Sequence, residues 1–172
     1  MKYRTIVADP PWPYSPGPKK LGFAPSHYKV MSIDDICSLK IKDLTDKNAH
    51  LYLWVTNFFL KEGFKVLESW GFRYVTTLTW FKGKNIGMPG RYFVSDTEHI
   101  LFGIKGSQKT SFLNVSNVIT ETNKMLKHSE KPDVFYKLVE YQSPGPYLEL
   151  FARRKRPDWH SWGNEIDSDI KL

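Results

Sequence analysis

The chain has 172 residues, 41% of them hydrophobic and 25% charged, which is typical of one folded domain with its own core. Its 25 basic and 18 acidic residues give a formal net charge of +7, which favours polyanionic partners without identifying one. The single cysteine, Cys37, excludes an internal disulfide and a cysteine-based zinc site, and we expect no metal. No apolar run approaches about 18 residues and no signal peptide is recognisable, so a soluble cytoplasmic protein without membrane contact is expected.

The predicted elements alternate between strands and helices. A strand at 3–8 is followed by a loop at 13–27 that is rich in proline and glycine, then by a helix at 32–39 with Ser32 as its N-cap. A strand at 49–56 and a helix at 58–70 come next. Strands at 72–82 and 97–105 flank a second loop at 83–91, and a weaker strand is predicted at 115–121. The last elements are a helix at 131–141, with Pro132 in its first turn, and a strand at 147–152.

This alternation predicts one α/β domain over residues 1–172, with helices on both faces of the sheet. Ligands of such sheets bind at the carboxyl ends of the strands. Two predicted strand ends carry polar residues, namely Asp9-Pro10-Pro11-Trp12 and the segment from Glu149 to Arg153. Both are therefore candidates for one active cleft.

Asp9-Pro10-Pro11-Trp12 suits one chemical task, the activation of an aromatic amine. The N6 lone pair of adenine is delocalised into the ring, and accepting hydrogen bonds from both N6 protons would release it. The Asp9 carboxylate can accept one of these bonds and the Pro10 carbonyl the other, while the prolines fix the local φ angles. Trp12 could stack on the base, a contact worth about 1–3 kcal/mol. The same four residues are equally typical of a strand that ends in a proline-rich turn.

Further motifs accompany these residues over nearly the whole chain. They are ADPPW at 8–12, YKVMS at 28–32, DTEHILFGIKG at 96–106, HSEKPDVFYKLVE at 128–140, SPG at 143–145, ELFAR at 149–153 and WGNE at 162–165. In this order they resemble the MT-A family, the catalytic-subunit family of the mRNA N6-adenosine methyltransferase, which has smaller bacterial and phage members. The resemblance implies a Rossmann-like class I methyltransferase fold with a mixed, mostly parallel sheet and the catalytic motif before the cofactor motifs.

The resemblance also implies S-adenosylmethionine as cofactor and assigns residues to it. Lys131, Arg153, Asn164 and Glu165 match the cofactor contacts of the family, and Asp9 and Pro11 would border the methionine end. Glu149 is added because an acid buried at a strand end needs a partner, and in the wider methyltransferase fold it helps to hold the cofactor. Glu98 and His99 are secondary candidates.

The nucleic acid is expected to bind along basic and aromatic residues near these motifs. The candidates for substrate binding are Trp12, Tyr14, Lys19, Lys20, Tyr28, Lys84 and Arg91, joined by Lys82 and by the basic cluster at 153–156. Solvated lysines on loop tips are the alternative. The loop at 14–28 could close over an adenine that is flipped out of a duplex or already single-stranded.

The sequence therefore predicts methylation of adenine N6 in DNA, in the cytoplasm of a bacterium or a phage-infected cell. DNA is preferred because the compact chain, without zinc fingers or a long N-terminal extension, resembles the bacterial and phage members. Three alternatives remain: the same reaction on RNA, a non-catalytic nucleic-acid-binding subunit, and methylation of a protein amide, which Asp rather than Asn at position 9 disfavours. A homodimer or a partner subunit is left open.

Overall fold

A mixed sheet forms the centre of the computed structural model, which describes residues 1–13, 30–84, 92–120 and 130–172. Seven strands belong to it within these ranges: β1 Tyr3–Ala8, β2 Thr45–Val55, β3 Arg73–Phe81, β4 Thr97–Lys105, β5 Val118–Ile119, β6 Tyr147–Leu150 and β7 Trp159–Trp162. The helices are α1 Ile33–Ser38, α2 Ile41–Leu44, α3 Leu60–Ser69 and α4 Asp133–Gln142, and a 3-10 turn covers Asn57–Phe59.

The strand order is β5-β3-β4-β2-β1-β6-β7, and most neighbouring strands are parallel. The pairs β1–β2, β1–β6, β6–β7 and β3–β5 are parallel, whereas β4 runs antiparallel to both β2 and β3. The carboxyl ends of β1, β2, β3, β6 and β7 therefore meet at the same edge of the sheet as the amino end of β4. We call this the site edge. The order and directions confirm the predicted α/β fold with its mixed, mostly parallel sheet.

Alternating side chains of the strands supply a core on each face of the sheet. Ile6 and Leu51 pack on one face in a cluster that also contains residues of α1, α2 and α3. Val7 and Trp54 pack on the other face with α4, whose Phe135 is fully buried. Helices on both faces are thus confirmed. Among the described residues, none of the helices combines the length and the apolar character that crossing a bilayer requires.

The largest differences from the predicted elements lie at short or polar segments. β2 begins at Thr45 rather than at 49, because its polar first residues pair with β1 through an irregular register between Tyr3 and Thr5. Pro132 is the N-cap of α4 and does not lie in its first turn. The four-residue elements α2 and β7 were not predicted, since four residues carry too little periodicity to be distinguished from a loop.

Candidate active site

Asp9 directly follows the end of β1, between the ends of two parallel neighbours. Its backbone N–H donates to the Leu150 carbonyl of β6 over 3.5 Å. The next residues are fixed by two further backbone bonds: Trp12 N–H donates to the Pro10 carbonyl over 2.9 Å, and Met31 N–H donates to the Pro11 carbonyl over 3.0 Å. Asp9 is consequently held on a short, rigid segment at the site edge, with 26% of its side chain exposed.

Lys131 joins the Asp9 carboxylate to a second acid. Its Nζ lies 3.1 Å from Asp9 Oδ2 and 3.0 Å from Glu98 Oε2, and its side chain is 9% exposed. The ammonium also lies 4.8 Å from the centre of the Trp54 ring, a cation–π contact. The other oxygen of Glu98, Oε1, accepts from Lys82 Nζ over 3.3 Å. We call Asp9, Lys131, Glu98 and Lys82 the charge chain, because anions and cations alternate along it.

The charge chain alters the acidity of its members. Burial raises the pKa of Asp9, and the Glu98 charge adds to this effect while Lys131 opposes it. Burial alone would lower the pKa of Lys131, but the Asp9 and Glu98 carboxylates outweigh it and raise that pKa. For Glu98, burial is outweighed by the ammonium groups of Lys131 and Lys82, so its pKa is lowered. At neutral pH Lys131 is therefore a cation and Glu98 an anion.

Glu149 lies on β6 and is buried, with a partner for one of its oxygens. The Tyr136 hydroxyl of α4 donates to Glu149 Oε1 over 2.6 Å. Arg156 Nε lies 3.5 Å from Oε2, and the Arg156 guanidinium lies 3.3 Å from the centre of the Tyr136 ring. Oε2 itself has no hydrogen-bond partner in the described part of the chain. Burial raises the pKa of Glu149, which is the expected response of an acid at a strand end.

The ELFAR and WGNE segments meet after the ends of β6 and β7. Ala152 N–H donates to the Trp162 carbonyl over 2.9 Å, and Arg153 Nε lies 3.7 Å from Glu165 Oε1. Gly163 permits this approach, because a Cβ there would lie 2.1 Å from the Ala152 carbonyl oxygen. Asn164 and Glu165 are exposed. Three of the predicted cofactor-binding residues, Arg153, Asn164 and Glu165, are thus brought to one place at the site edge.

Comparison with known proteins places the chain in a family. The MT-A70 family model matches residues 3–165. The chain belongs to the MT-A70 family. It is 32% identical over 180 residues to a putative N(6)-adenosine-methyltransferase MT-A70-like protein of Medicago truncatula and 29% identical over 177 residues to the human N(6)-adenosine-methyltransferase catalytic subunit METTL3.

These relatives differ in how much of their length the chain covers. The alignments include 99% and 96% of this chain but only 27% of the Medicago protein and 28% of human METTL3. The type II methyltransferase M.MunI of Mycoplasma sp. is 30% identical over 192 residues, which are 99% of this chain and 81% of M.MunI. The relatives thus include long proteins, of which the chain spans about a quarter, and one of comparable extent.

The predicted substrate-binding residues are only partly described by the structure. Tyr14, Lys19, Lys20, Tyr28 and Arg91 lie outside the described residues. Lys84 is exposed at the start of the loop between β3 and β4. That loop emerges from the site edge, so the position of Lys84 is compatible with the predicted contact.

The basic cluster at 153–156, which was predicted to line a track for phosphates, is ion-paired within the described part of the chain. Arg154 lies 3.0 Å from Glu130 and 2.5 Å from Asp133, and Lys155 lies 2.7 Å from Asp169. Arg156 contacts Asp133 over 2.9 Å as well as Glu149. These acids neutralise much of the positive charge of the cluster. The sequence could not reveal this because the partners come from other segments of the fold.

Lys82 and Glu98 are more central to the site than the sequence suggested. Lys82 was predicted to rim a phosphate track, but its Nζ contacts Glu98. Glu98 was a secondary candidate, and the antiparallel insertion of β4 brings it to the site edge. His99 lies beside it; its Nε2–H donates to Asn57 Oδ1 over 2.9 Å, and its Nδ1 lies within hydrogen-bond distance of Thr79 Oγ1, at 3.1 Å. The signal that could have found the Lys82–Glu98 pair is the succession of the predicted strands 72–82 and 97–105, because consecutive strands often pair.

Trp12 lies in the core rather than at an open surface, which differs from the expectation that it stacks on the base. It is 4% exposed, its ring is parallel to Phe59 within 13° at 5.5 Å, and its Nε1–H donates to the Trp54 carbonyl over 3.1 Å. A base could reach the indole only if neighbouring groups moved. In this structure Trp12 fixes the segment from Asp9 to Trp12 to the turn at Asn57–Phe59.

We therefore expect Trp12→Ala to lower the free energy of unfolding by about 3–5 kcal/mol, because it leaves a large cavity and removes the hydrogen bond to the Trp54 carbonyl. Chemical denaturation would measure this loss. Phe58→Ala is the matched control, since Phe58 is the exposed aromatic of the same turn and should change stability little. Unfolding of Trp12→Ala that matches wild type would show that the indole has no packing role.

Proposed function

We propose that this MT-A70 chain transfers a methyl group from S-adenosylmethionine to the N6 amine of adenine in DNA. The observation that carries the proposal is the position of Asp9 at the end of β1, where Lys131 holds one carboxylate oxygen and Glu98 in turn holds Lys131. A carboxylate fixed in this way, followed by two prolines, is a preorganised hydrogen-bond acceptor for an amine.

The residues at the site edge suit the chemistry of S-adenosylmethionine. Lys131 and Arg153 offer positive charge to a methionine carboxylate, and Asn164 and Glu165 offer polar atoms to ribose hydroxyls or adenine. Glu149 adds a buried carboxylate oxygen that lacks a hydrogen-bond partner in the described part of the chain. When bound, S-adenosylmethionine supplies an electrophilic methyl group, and direct transfer needs neither a metal nor a covalent enzyme intermediate.

The catalytic segment would activate the amine by accepting both of its protons in hydrogen bonds. Because Lys131 lies at Asp9 Oδ2, we assign Oδ1 to one N6 proton. The Pro10 carbonyl would accept the other; it already accepts from Trp12 N–H, and a carbonyl oxygen has a second lone pair for the amine. Together these bonds draw N6 toward tetrahedral geometry and free its lone pair for the methyl group. The methylated nitrogen then sheds a proton, which Asp9 is positioned to accept because burial raises its pKa.

The target base must leave the duplex or already be single-stranded, because N6 of a paired, stacked adenine cannot approach Asp9. Sequence selectivity would come from loops at the site edge or from a partner subunit. Lys84, on the loop between β3 and β4, is the described residue best placed to contact a phosphate.

Support for DNA comes from the relative named as a type II methyltransferase, M.MunI, because the chain spans 81% of its length. RNA adenosine is the second candidate, since the names of the plant and human relatives specify N(6)-adenosine methyltransferases. The proposed contacts to N6 do not distinguish the two polymers, because the ribose 2′-hydroxyl lies away from this amine.

The experiment that tests the proposal compares methyl transfer to DNA and RNA oligonucleotides of matched sequence, in single- and double-stranded form. The products are digested to nucleosides, and N6-methylated adenine is measured by mass spectrometry. We expect methylated deoxyadenosine to accumulate with wild type and to be reduced by about 10³-fold or more with Asp9→Ala. Preferential methylation of RNA would replace DNA as the assigned polymer. Absence of methylated adenine from every polymer would refute the enzymatic function and favour the non-catalytic subunit.

A further inference from the structure

We propose that Lys82 is a positioning residue, which acts on Asp9 through Glu98 and Lys131. The sequence predicts Lys82 as a possible phosphate contact, whereas the structure pairs its ammonium with Glu98. The inference rests on the proposed function for its activity measurements, but the charge chain itself can be tested without activity.

The antiparallel pairing of β3 with β4 places Lys82 beside Glu98. Trp80 pairs with Glu98 across the two strands, so their side chains share a face of the sheet. Lys82 lies two residues after Trp80 and returns to the same face, while its backbone N–H donates to the Asp96 carbonyl over 2.9 Å. The resulting distance from Nζ to Glu98 Oε1 is 3.3 Å, and only 12% of the Lys82 side chain is exposed. Lysine is seldom so buried unless it is paired.

Lys82 completes the charge balance of the site. The titratable and charged groups that interact with Glu98 are Lys82 after β3, Lys131 before α4, Asp9 after β1, and the adjacent His99 on β4. With Lys82, two cations balance two carboxylates; without it, Lys131 alone would face both acids. Glu98 would then gain a proton more readily, since burial favours its neutral form.

A neutral Glu98 would change how Lys131 holds Asp9. Lys131 now divides its hydrogen bonds between Glu98 Oε2 and Asp9 Oδ2 over nearly equal distances. If Glu98 lost its charge, Lys131 would move toward Asp9 and donate to it more strongly. The Asp9 carboxylate would then be a weaker acceptor for the adenine amine. Lys82 is therefore expected to affect the methyl-transfer step more than substrate binding.

The test uses Lys82→Met, with Lys82→Gln as a second neutral variant in case the first fails to fold, and Lys82→Arg as the conservative variant. Lys65→Met is the control, because Lys65 of α3 forms an exposed ion pair with Asp34 of α1, on the opposite face of the sheet from the charge chain. We expect the neutral variants to lower kcat about tenfold and to leave KM for DNA within about twofold. Lys82→Arg, which keeps the cation, should restore most of kcat.

A second measurement does not depend on methyl transfer. The carboxyl carbon of Glu98, labelled with carbon-13 and assigned by its loss in Glu98→Gln, is titrated by NMR in wild type and in each variant. Its midpoint should move to higher pH in Lys82→Met and stay unchanged in Lys65→Met. An unchanged midpoint would overturn the inference, and so would a rise in KM with normal kcat, which would make Lys82 a phosphate contact. If wild type methylates nothing, the proposed function fails while the titration still decides the role of Lys82.

Discussion

Replacing Asp9 by alanine is expected to lower methyl transfer to adenine by about 10³-fold or more. The substitution removes the acceptor of one N6 proton, the group that takes up the released proton, and the partner of Lys131 Nζ at 3.1 Å. Loss of one preorganised hydrogen bond in an active site typically costs 10²–10³-fold in kcat, and loss of a proton acceptor costs about 10²–10⁴-fold. The rate would be measured in single turnovers with labelled S-adenosylmethionine and an adenine-containing oligonucleotide.

Two further variants separate charge from shape. Asp9→Asn keeps the size of the side chain and one acceptor oxygen but removes the charge that pairs with Lys131, so an activity between those of wild type and Asp9→Ala is expected. Asp43→Ala removes an exposed aspartate of α2 and should leave the rate within about twofold of wild type. A rate for Asp9→Ala equal to that of wild type would refute the mechanism.

The pH dependence of the rate provides an independent check of Asp9. Only the carboxylate form can accept from both the amine and Lys131, and burial raises the pKa of this carboxyl. The rate should therefore fall on the acid side at a higher pH than an ordinary aspartate would produce. The acid limb attributable to Asp9 should be absent from the residual activity of Asp9→Asn, because the amide does not titrate in this range.

The sequence predicts most of the sheet because the central strands carry a strong apolar pattern. β1, β2 and β4 contribute residues to both cores. β1 and β4 have the predicted bounds, whereas β2 begins at Thr45 instead of 49 and ends at Val55 instead of 56. The position of Trp12 was not predictable in the same way. An aromatic residue after a strand can stack on a ligand or pack in the core, and the residue that decides, Phe59, lies far away in the chain.

In the candidate site, the sequence likewise predicts which charged residues matter but not which partners they contact. Asp9, Lys131 and Glu149 were selected from motifs, and the parallel arrangement of β1 and β6 brings their segments to one edge. Their partners depend on the fold: Glu98 reaches Lys131 because β4 runs antiparallel to β2. Arg154 likewise pairs with Asp133, which belongs to a different segment of the chain. Local patterns identify which residues are charged, whereas packing determines which charges meet.

Replacing Lys131 by methionine is expected to lower the free energy of unfolding by about 2–4 kcal/mol. Methionine preserves much of the packing volume, but it leaves Asp9 and Glu98 as partly buried carboxylates without their shared cation, and such broken pairs are strongly destabilising. Because the folded-state pKa of Lys131 is raised, its contribution is fully present below the unfolded lysine value of about 10.4 and disappears as pH rises through the folded value. The loss should therefore be visible in urea denaturation at neutral pH.

The same variant also tests whether Lys131 binds the cofactor or only the two carboxylates. We expect calorimetry to give an affinity for S-adenosylmethionine about tenfold weaker than wild type, because one charge-assisted hydrogen bond to the methionine carboxylate is lost. Lys65→Met, which removes an exposed ion pair, should change neither stability nor affinity appreciably. Reduced stability with normal affinity would show that Lys131 binds Asp9 and Glu98 but not the cofactor. Arg153 would then be the cation that binds the methionine carboxylate. Normal stability would contradict the buried charge chain itself, because removing its central cation cannot be neutral if both carboxylates depend on it.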